Sequence, residues 1–144
     1  MTDNLEELEN RFIRSRDIRV EELRSFLGDL SHFCELSTTG FVRILHPDGV
    51  TYSVEDKIQL VLSARLLGNR LQQELKRQSV VSPFVAKSEL SEILNTNPKT
   101  LDNRLTDLKN KKVIRDVDAK GFQIFPYAIP ALIKKLKNRE GETH

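Results

Sequence analysis

The chain has 144 residues, of which 38% are hydrophobic and 31% are charged, and its formal net charge is +2. This length and composition suit a soluble globular protein with one domain, or with a small domain and an extension. No apolar run approaches the roughly 20 residues that cross a bilayer, so we expect no membrane span, and the single cysteine, Cys34, excludes an internal disulfide.

Residues 1–36 are predicted to form an N-terminal helical extension, which is a possible oligomerisation or docking element. A narrow apolar stripe predicts a short helix over 3–14, and a broad apolar face predicts a second helix over 18–36. The residues of that broad face are Leu23, Phe26, Leu27, Leu30, Phe33 and Cys34. Because the first residues are acidic and polar rather than basic and then apolar, we expect a cytoplasmic location.

A small β-hairpin is predicted over residues 40–52. Phe41–Leu45 has strand character, His46–Gly49 supplies a turn with Pro at its second position, and Val50–Tyr52 returns. We expect the hairpin to extend the core of a domain that covers residues 37–140.

A long helix is predicted over residues 53–77. Ser53 and Asp56 resemble a capping box with Asp in place of the usual Glu or Gln. From Ile58 to Leu67 the helix is apolar nearly all round, which predicts a central helix that is covered by other helices, by the hairpin or by a partner subunit.

Two shorter helical patterns occupy residues 87–111. Asn97 can cap the second helix, and Pro98 fits its first position, where no amide donor is needed. The apolar face of the first helix consists of Leu90, Ile93 and Leu94, and that of the second consists of Leu101, Leu105 and Leu108. The pattern therefore predicts two packed helices joined by a tight turn.

The side of the second helix that faces away from its leucines carries a cation, two amides and a hydroxyl group, on Lys99, Asn103, Asn110 and Thr106. Thr100 and Arg104 lie on its flanks. Cations can bind phosphates, and amide or hydroxyl groups can contact base edges. Asp102 and Asp107 oppose this interpretation, because both would repel phosphate unless they form helix ion pairs.

A strand pair is predicted over residues 112–126, with a tight turn at Asp118–Gly121. Alternation places Val113 against Ile124 or Phe122 and leaves Arg115, Lys120 and Gln123 exposed. We expect Phe84–Val85 to add a third short strand. A C-terminal helix follows over residues 128–139, with Pro130 in its first turn.

The charges are unevenly distributed along the chain. Residues 1–36 hold five Lys/Arg against nine Asp/Glu, a net charge of −4, and residues 76–144 hold fourteen against eight, a net charge of +6. The cations therefore concentrate in the part that contains the two short helices and the strand pair, as a phosphate-binding surface requires.

The segment from Leu90 to Ile124 resembles the winged helix-turn-helix superfamily, of the type found in prokaryotic transcription regulators. The fold class is then α+β and mainly α. The resemblance implies a DNA-binding transcription regulator whose helix from Pro98 enters the major groove of double-stranded DNA. Lys99, Thr100, Asn103, Arg104 and Thr106 would contact the groove, and Lys109, Arg115 and Lys120 would contact phosphates. A homodimer through the N-terminal helices or the Ile58–Leu67 helix would match two half-sites.

Two other functions remain open. The protein could be an adaptor that uses the winged helix as a protein-binding scaffold, or a protein that binds RNA or single-stranded DNA. The sequence contains no Gly-rich phosphate loop, nucleophile elbow or metalloprotease helix, and His32 and Cys34 diverge on a predicted helix. We therefore expect neither an enzyme nor a cofactor.

Overall fold

The computed structural model describes Leu5 and residues 18–141. Its elements are α1 (Val20–Leu30), β1 (Cys34–Leu36), β2 (Val42–Ile44), α2 (Val54–Glu74), α3 (Lys87–Leu94), α4 (Pro98–Asn110), β3 (Ile114–Val117), β4 (Gly121–Ile124), a short 3-10 turn (Pro126–Ala128) and α5 (Ile129–Gly141). Within the described part the architecture is α+β and mainly helical, with two small antiparallel hairpins, which confirms the predicted fold class. The helix predicted over 3–14 lies, apart from Leu5, outside the described residues.

Helix α2 begins with the capping box that the sequence predicts. The Ser53 hydroxyl accepts from the Asp56 amide at 3.1 Å, and the Asp56 carboxylate accepts from the Ser53 amide at 2.9 Å. Two of the amides that lack helical partners at this end are thereby satisfied. The helix ends at Glu74, three residues before the predicted end.

Helix α2 is the centre of the described structure. It packs against α1, α3, α4 and α5 and against strands of both hairpins. Every apolar side chain from Ile58 to Leu67 is buried. The expectation that this helix could form a dimer interface is therefore wrong, because a helix that is apolar all round is covered here by its own protomer.

The first hairpin differs from the prediction over 40–52. Helix α1 ends at Leu30 rather than at residue 36. Cys34–Leu36 forms a strand that pairs with Val42–Ile44, so the hairpin spans the boundary that we expected between the extension and the domain. Gly40 has a φ of +94° and closes the turn, a conformation that glycine adopts without strain. Val50–Tyr52 is not a strand, and the Tyr52 hydroxyl donates instead to the Leu45 carbonyl at 2.6 Å.

Helices α3 and α4 match the predicted pair over 87–111. Asn95 takes the left-handed conformation (φ 50°, ψ 48°) and ends α3. The Asn97 side chain accepts from the Lys99 amide at 2.8 Å, with Pro98 at the first position of α4. Leu90 and the three α4 leucines, Leu101, Leu105 and Leu108, are fully or almost fully buried.

The second hairpin forms within the predicted range but with its alternation shifted by one residue. Ile114, rather than Val113, faces Ile124, and both isoleucines are 1% exposed. The shift occurs because the Val113 amide donates to the Leu108 carbonyl at 3.0 Å, so Val113 still caps α4 and the strand starts one residue later. The third short strand is an isolated bridge between Val85 and Phe122.

The C-terminal helix α5 closes the described part of the structure. Ile129, Leu132, Ile133 and Leu136 are buried, on the face that the sequence predicts. Its outer residues Lys135 and Arg139 form ion pairs with Asp56 at the start of α2, which fixes one end of α5 on the central helix.

Candidate nucleic-acid interface

The outward side of α4 is an accessible polar surface of the helix pair. Lys99, Asn103 and Thr106 are exposed, and Thr100 is exposed beside them. Leu101, Leu105 and Leu108 anchor the opposite side, so the helix cannot rotate without exposing its leucines. None of the side chains of Lys99, Thr100, Asn103 and Thr106 has a hydrogen bond or ion pair within the described residues. These four groups are therefore available to a ligand.

The two acids that opposed a phosphate-binding role are held by cations of the same protomer. Asp102 forms an ion pair with Lys87 of α3 at 3.0 Å, and Asp107 forms one with Arg104 at 3.5 Å. Asp102 lies on a flank of α4, whereas Asp107 lies about as close to the centre of the outward side as Thr106 does. Their charge is thus partly balanced before any ligand arrives.

Arg104 is less free than the sequence suggests. It is half-exposed, and its guanidinium also lies 3.6 Å from Glu55 in the first turn of α2. Glu55 accepts a second cation, Lys111, at 3.2 Å. Ion pairs at the surface contribute only about 0–1 kcal/mol, so a phosphate could displace either contact at small cost.

The three cations expected to contact phosphates are exposed but positioned by neighbours. Arg115 donates through Nε and Nη2 to Gln123 Oε1, at 2.9 and 2.6 Å. The Nζ of Lys120 lies 5.3 Å from the centre of the Phe84 ring, and that of Lys109 lies 5.9 Å from the centre of the Phe122 ring. An ammonium over a ring keeps its other side open, so these contacts orient the cations without removing them from solvent.

Sequence reasoning did not include three surface residues next to this site. Lys111 and Lys112 are exposed at the turn between α4 and β3. Two consecutive lysines directly after the helix were the sequence feature that could have identified them as candidate phosphate contacts. Tyr127 is 58% exposed and stacks on Phe125 with ring centres 5.2 Å apart. The Tyr127 hydroxyl donates to the Lys112 carbonyl. The aromatic pair therefore lies beside the lysines.

The remaining candidate groups do not assemble into a reactive centre. Cys34 is buried, as expected, and burial raises the pKa of its thiol to about 12, which keeps it neutral. His32 is exposed and contacts Glu140, and His46 lies against the Tyr52 ring. Among the described residues, no group of three His, Cys, Asp or Glu side chains could hold a metal ion. None of the described helices is long and apolar enough to span a bilayer.

No family model matches this chain, and comparison with curated proteins and with solved structures likewise gives no match. The winged helix-turn-helix resemblance therefore stays a prediction, and the geometry of α4 and its surroundings carries the functional argument.

Proposed function

We propose that this protein is a cytoplasmic transcription regulator that binds double-stranded DNA through a winged helix-turn-helix. Helix α4 enters the major groove, and the β3–β4 hairpin is the wing that contacts the adjacent backbone. The role needs no cofactor and no catalytic group.

The observation that carries this proposal is that α4 is amphipathic, with an apolar side in the core and a polar side exposed to solvent. Its leucines fix one side in the core, while Lys99, Asn103 and Thr106 face solvent without a partner in the described part of the chain. A cation beside amide and hydroxyl groups on one exposed helical strip is the set that binds phosphates and base edges. The pairing of Asp102 with Lys87 removes part of the repulsion that a phosphate would meet.

The distribution of charge supports the same role. The net charge of +6 over residues 76–144 covers α3, α4 and the wing, whereas residues 1–36 carry −4. A polyanion would approach the basic end first, because long-range attraction orients the encounter.

The test is a titration of a labelled mixed-sequence duplex with the full chain at two salt concentrations, followed by fluorescence anisotropy. DNA binding predicts that affinity falls with salt, with a slope of about −0.9 per phosphate contacted. Lys99→Ala should weaken binding, whereas Lys134→Ala, the same change on α5, should not. An affinity that is independent of salt, or equal losses in both variants, would contradict the proposal.

One observation favours an adaptor as the second candidate. Arg104, Lys109, Arg115 and Lys120 each already contact a neighbour in the protomer, which leaves fewer free cations than the sequence suggests. If the folded protein does not bind duplex at low salt, the adaptor function replaces DNA binding. A single-stranded competitor that displaces the duplex would indicate single-strand binding instead, for which the Phe125–Tyr127 pair offers an aromatic surface.

A further inference from the structure

A concave cleft of about 510 Å³ lies between α1, the β1–β2 hairpin and the C-terminal half of α2. Its walls are mainly apolar and include Leu27 and Leu30 of α1, Leu36 of β1, and Ala64 and Leu71 of α2. Pockets for small molecules typically hold roughly 300–1,000 Å³ and are lined mostly by apolar side chains. No residue of α4 is part of this wall, so the cleft is separate from the proposed DNA-binding surface.

Gly68 lets the hairpin approach α2 closely enough to form the wall. A Cβ added at this position would lie only 2.2 Å from Cδ2 of Leu36. A glycine inside a helix costs about 1 kcal/mol relative to alanine. The cleft therefore depends on a residue that is unfavourable for the helix by itself.

The polar groups around the cleft restrict the charge of an occupant. Ser37, Thr38 and Gln72 offer hydroxyl and amide groups. Among the described lining residues Glu35 is the only one with a charge, and its carboxylate pairs with Arg43 at 2.8 Å. An anion would enter an apolar space without a cation to balance it, which is costly. A neutral molecule meets no such penalty, whereas a cation would also lose its hydration and would find Glu35 already paired.

A buried arginine joins the cleft to the helix pair. Arg65 follows Ala64 on α2 and is only 5% exposed. Its Nη1 donates to the Gly40 carbonyl at 3.0 Å, in the hairpin turn that carries Thr38, and to the Glu89 carboxylate of α3 at 2.6 Å. A shift of the turn would therefore change the position of the guanidinium that holds α3.

We propose that this cleft binds a small, mainly apolar, neutral molecule, and that its occupancy is transmitted from the hairpin turn through Arg65 to α3. The regulatory meaning of the site rests on the proposed DNA binding, because α3 supports α4. The binding of the small molecule to the cleft is independent of the proposed DNA binding.

Two dyes with the same aromatic skeleton test the site. N-phenyl-1-naphthylamine is neutral, and 1-anilinonaphthalene-8-sulfonate adds one negative charge. Each dye is titrated into the full chain and excited directly. The neutral dye should give a saturable rise in fluorescence. It should bind at least about tenfold more tightly than the sulfonate, a difference in binding free energy of about 1.4 kcal/mol.

Leu71→Trp places a larger ring in the wall and should weaken binding of the neutral dye by about tenfold or more. Leu75→Trp is the matched control, since Leu75 is exposed and lies outside the cleft. Absence of saturable binding, equal affinity for both dyes, or equal effects of the two substitutions would overturn the proposed site.

Hydrogen–deuterium exchange tests the connection through Arg65. The neutral dye should slow amide exchange both at residues 37–41 and at residues 87–94. Glu89→Ala removes the acceptor that Arg65 holds, so it should preserve the first effect and abolish the second. No protection at 87–94, or equal protection there in Glu89→Ala, would overturn the transmission. Neither dye experiment involves DNA, so failure of the proposed DNA binding is recognised separately.

Discussion

Asp56 is a fully buried carboxylate that joins the start of the central helix to the C-terminal helix. Its oxygens accept from Ser53, Lys135 and Arg139, so the start of α2 is fixed to α5. Burial alone would raise the pKa of Asp56, but the hydrogen bonds from Arg139, the Ser53 backbone and Lys135 outweigh burial and lower it. The carboxylate therefore remains charged, and its partners remain bound, at acidic pH.

Replacing Asp56 with Asn should lower the free energy of unfolding by about 1–3 kcal/mol at neutral pH, because the hydrogen bonds from Lys135 and Arg139 lose their charged acceptor. A depressed folded-state pKa contributes stability above the pKa of the unfolded chain, about 3.9, and this contribution disappears as pH falls through the folded value. Urea unfolding of Asp56→Asn should accordingly vary less with pH below about 4 than that of the native protein.

The same change at exposed Asp48 serves as the control. Its side chain contacts no partner within the described residues, so Asp48→Asn should change stability by no more than about 0.5 kcal/mol. Equal losses at the two positions would show that Asp56 has no special structural role.

Gly121 and Gly28 offer a second comparison at the residue scale. Gly121 has a φ of +115°, and an added Cβ would lie 2.6 Å from the Val85 carbonyl carbon, whereas a Cβ on Gly28 would have no neighbour within 4 Å. Gly121→Ala should destabilise by about 2 kcal/mol. Gly28→Ala, inside α1, should stabilise by about 0.5–1 kcal/mol. Thermal unfolding of both variants measures the difference, and a change of the same sign in both would contradict it.

At the scale of the element, α4 shows why helical periodicity was the most informative pattern in the sequence. Residues three and four apart lie on one side of a helix, so three leucines are sufficient to predict which side is buried. The caps are equally local, because Asn97 and Pro98 act on the amides next to them. The start and orientation of α4 therefore follow from a dozen consecutive residues.

The adjacent residues Leu105 and Thr106 test this orientation. Leu105→Ala should reduce the free energy of unfolding by about 3 kcal/mol, because it leaves a cavity in the core. Thr106→Ala should change stability by at most about 0.5 kcal/mol and weaken duplex binding if the proposed function is correct. Denaturant unfolding together with anisotropy separates the two effects, and a large stability loss in Thr106→Ala would place that residue in the core instead.

For the two hairpins, local sequence patterns were not sufficient to predict which residues pair and in which register. Valine favours strands, but the amide of Val113 donates to the end of α4. The strand therefore begins at Ile114, and Ile114 rather than Val113 faces the core. The first hairpin pairs Cys34–Leu36 with Val42–Ile44, and no turn motif at residues 46–49 could indicate that partner. A one-residue change of register exchanges the two faces of a strand, which makes such errors easy.

At the scale of the whole molecule, Arg65 connects parts of the chain that are distant in sequence. Besides the Gly40 and Glu89 contacts, its Nε donates to the Ser82 carbonyl at 2.7 Å and its Nη2 to the Phe84 carbonyl at 3.3 Å. One side chain on the central helix thus positions the first hairpin, the loop before α3, and α3 itself.

Arg65→Met should reduce the free energy of unfolding by about 3 kcal/mol, since it leaves buried carbonyls without donors and Glu89 without its cation. Arg43→Met breaks an exposed ion pair with Glu35 and should cost less than about 1 kcal/mol. Amide exchange should accelerate in residues 37–41 and 79–94 only in the Arg65 variant. Similar exchange in the two variants would argue against a connecting role.

The sequence by itself determined where the described helices lie approximately, the caps at the starts of α2 and α4, and the side of α4 that is buried, because these depend on periodicity and on groups within a few residues of one another. It also indicated that Ile58–Leu67 is covered, and the described structure shows that its own protomer covers it. Only the tertiary structure decided the partner of β1, the pairing of Asp102 with Lys87 and the enclosure of the cleft. Those features bring together residues that are not neighbours in sequence, and their distances are set by the packing of the whole chain.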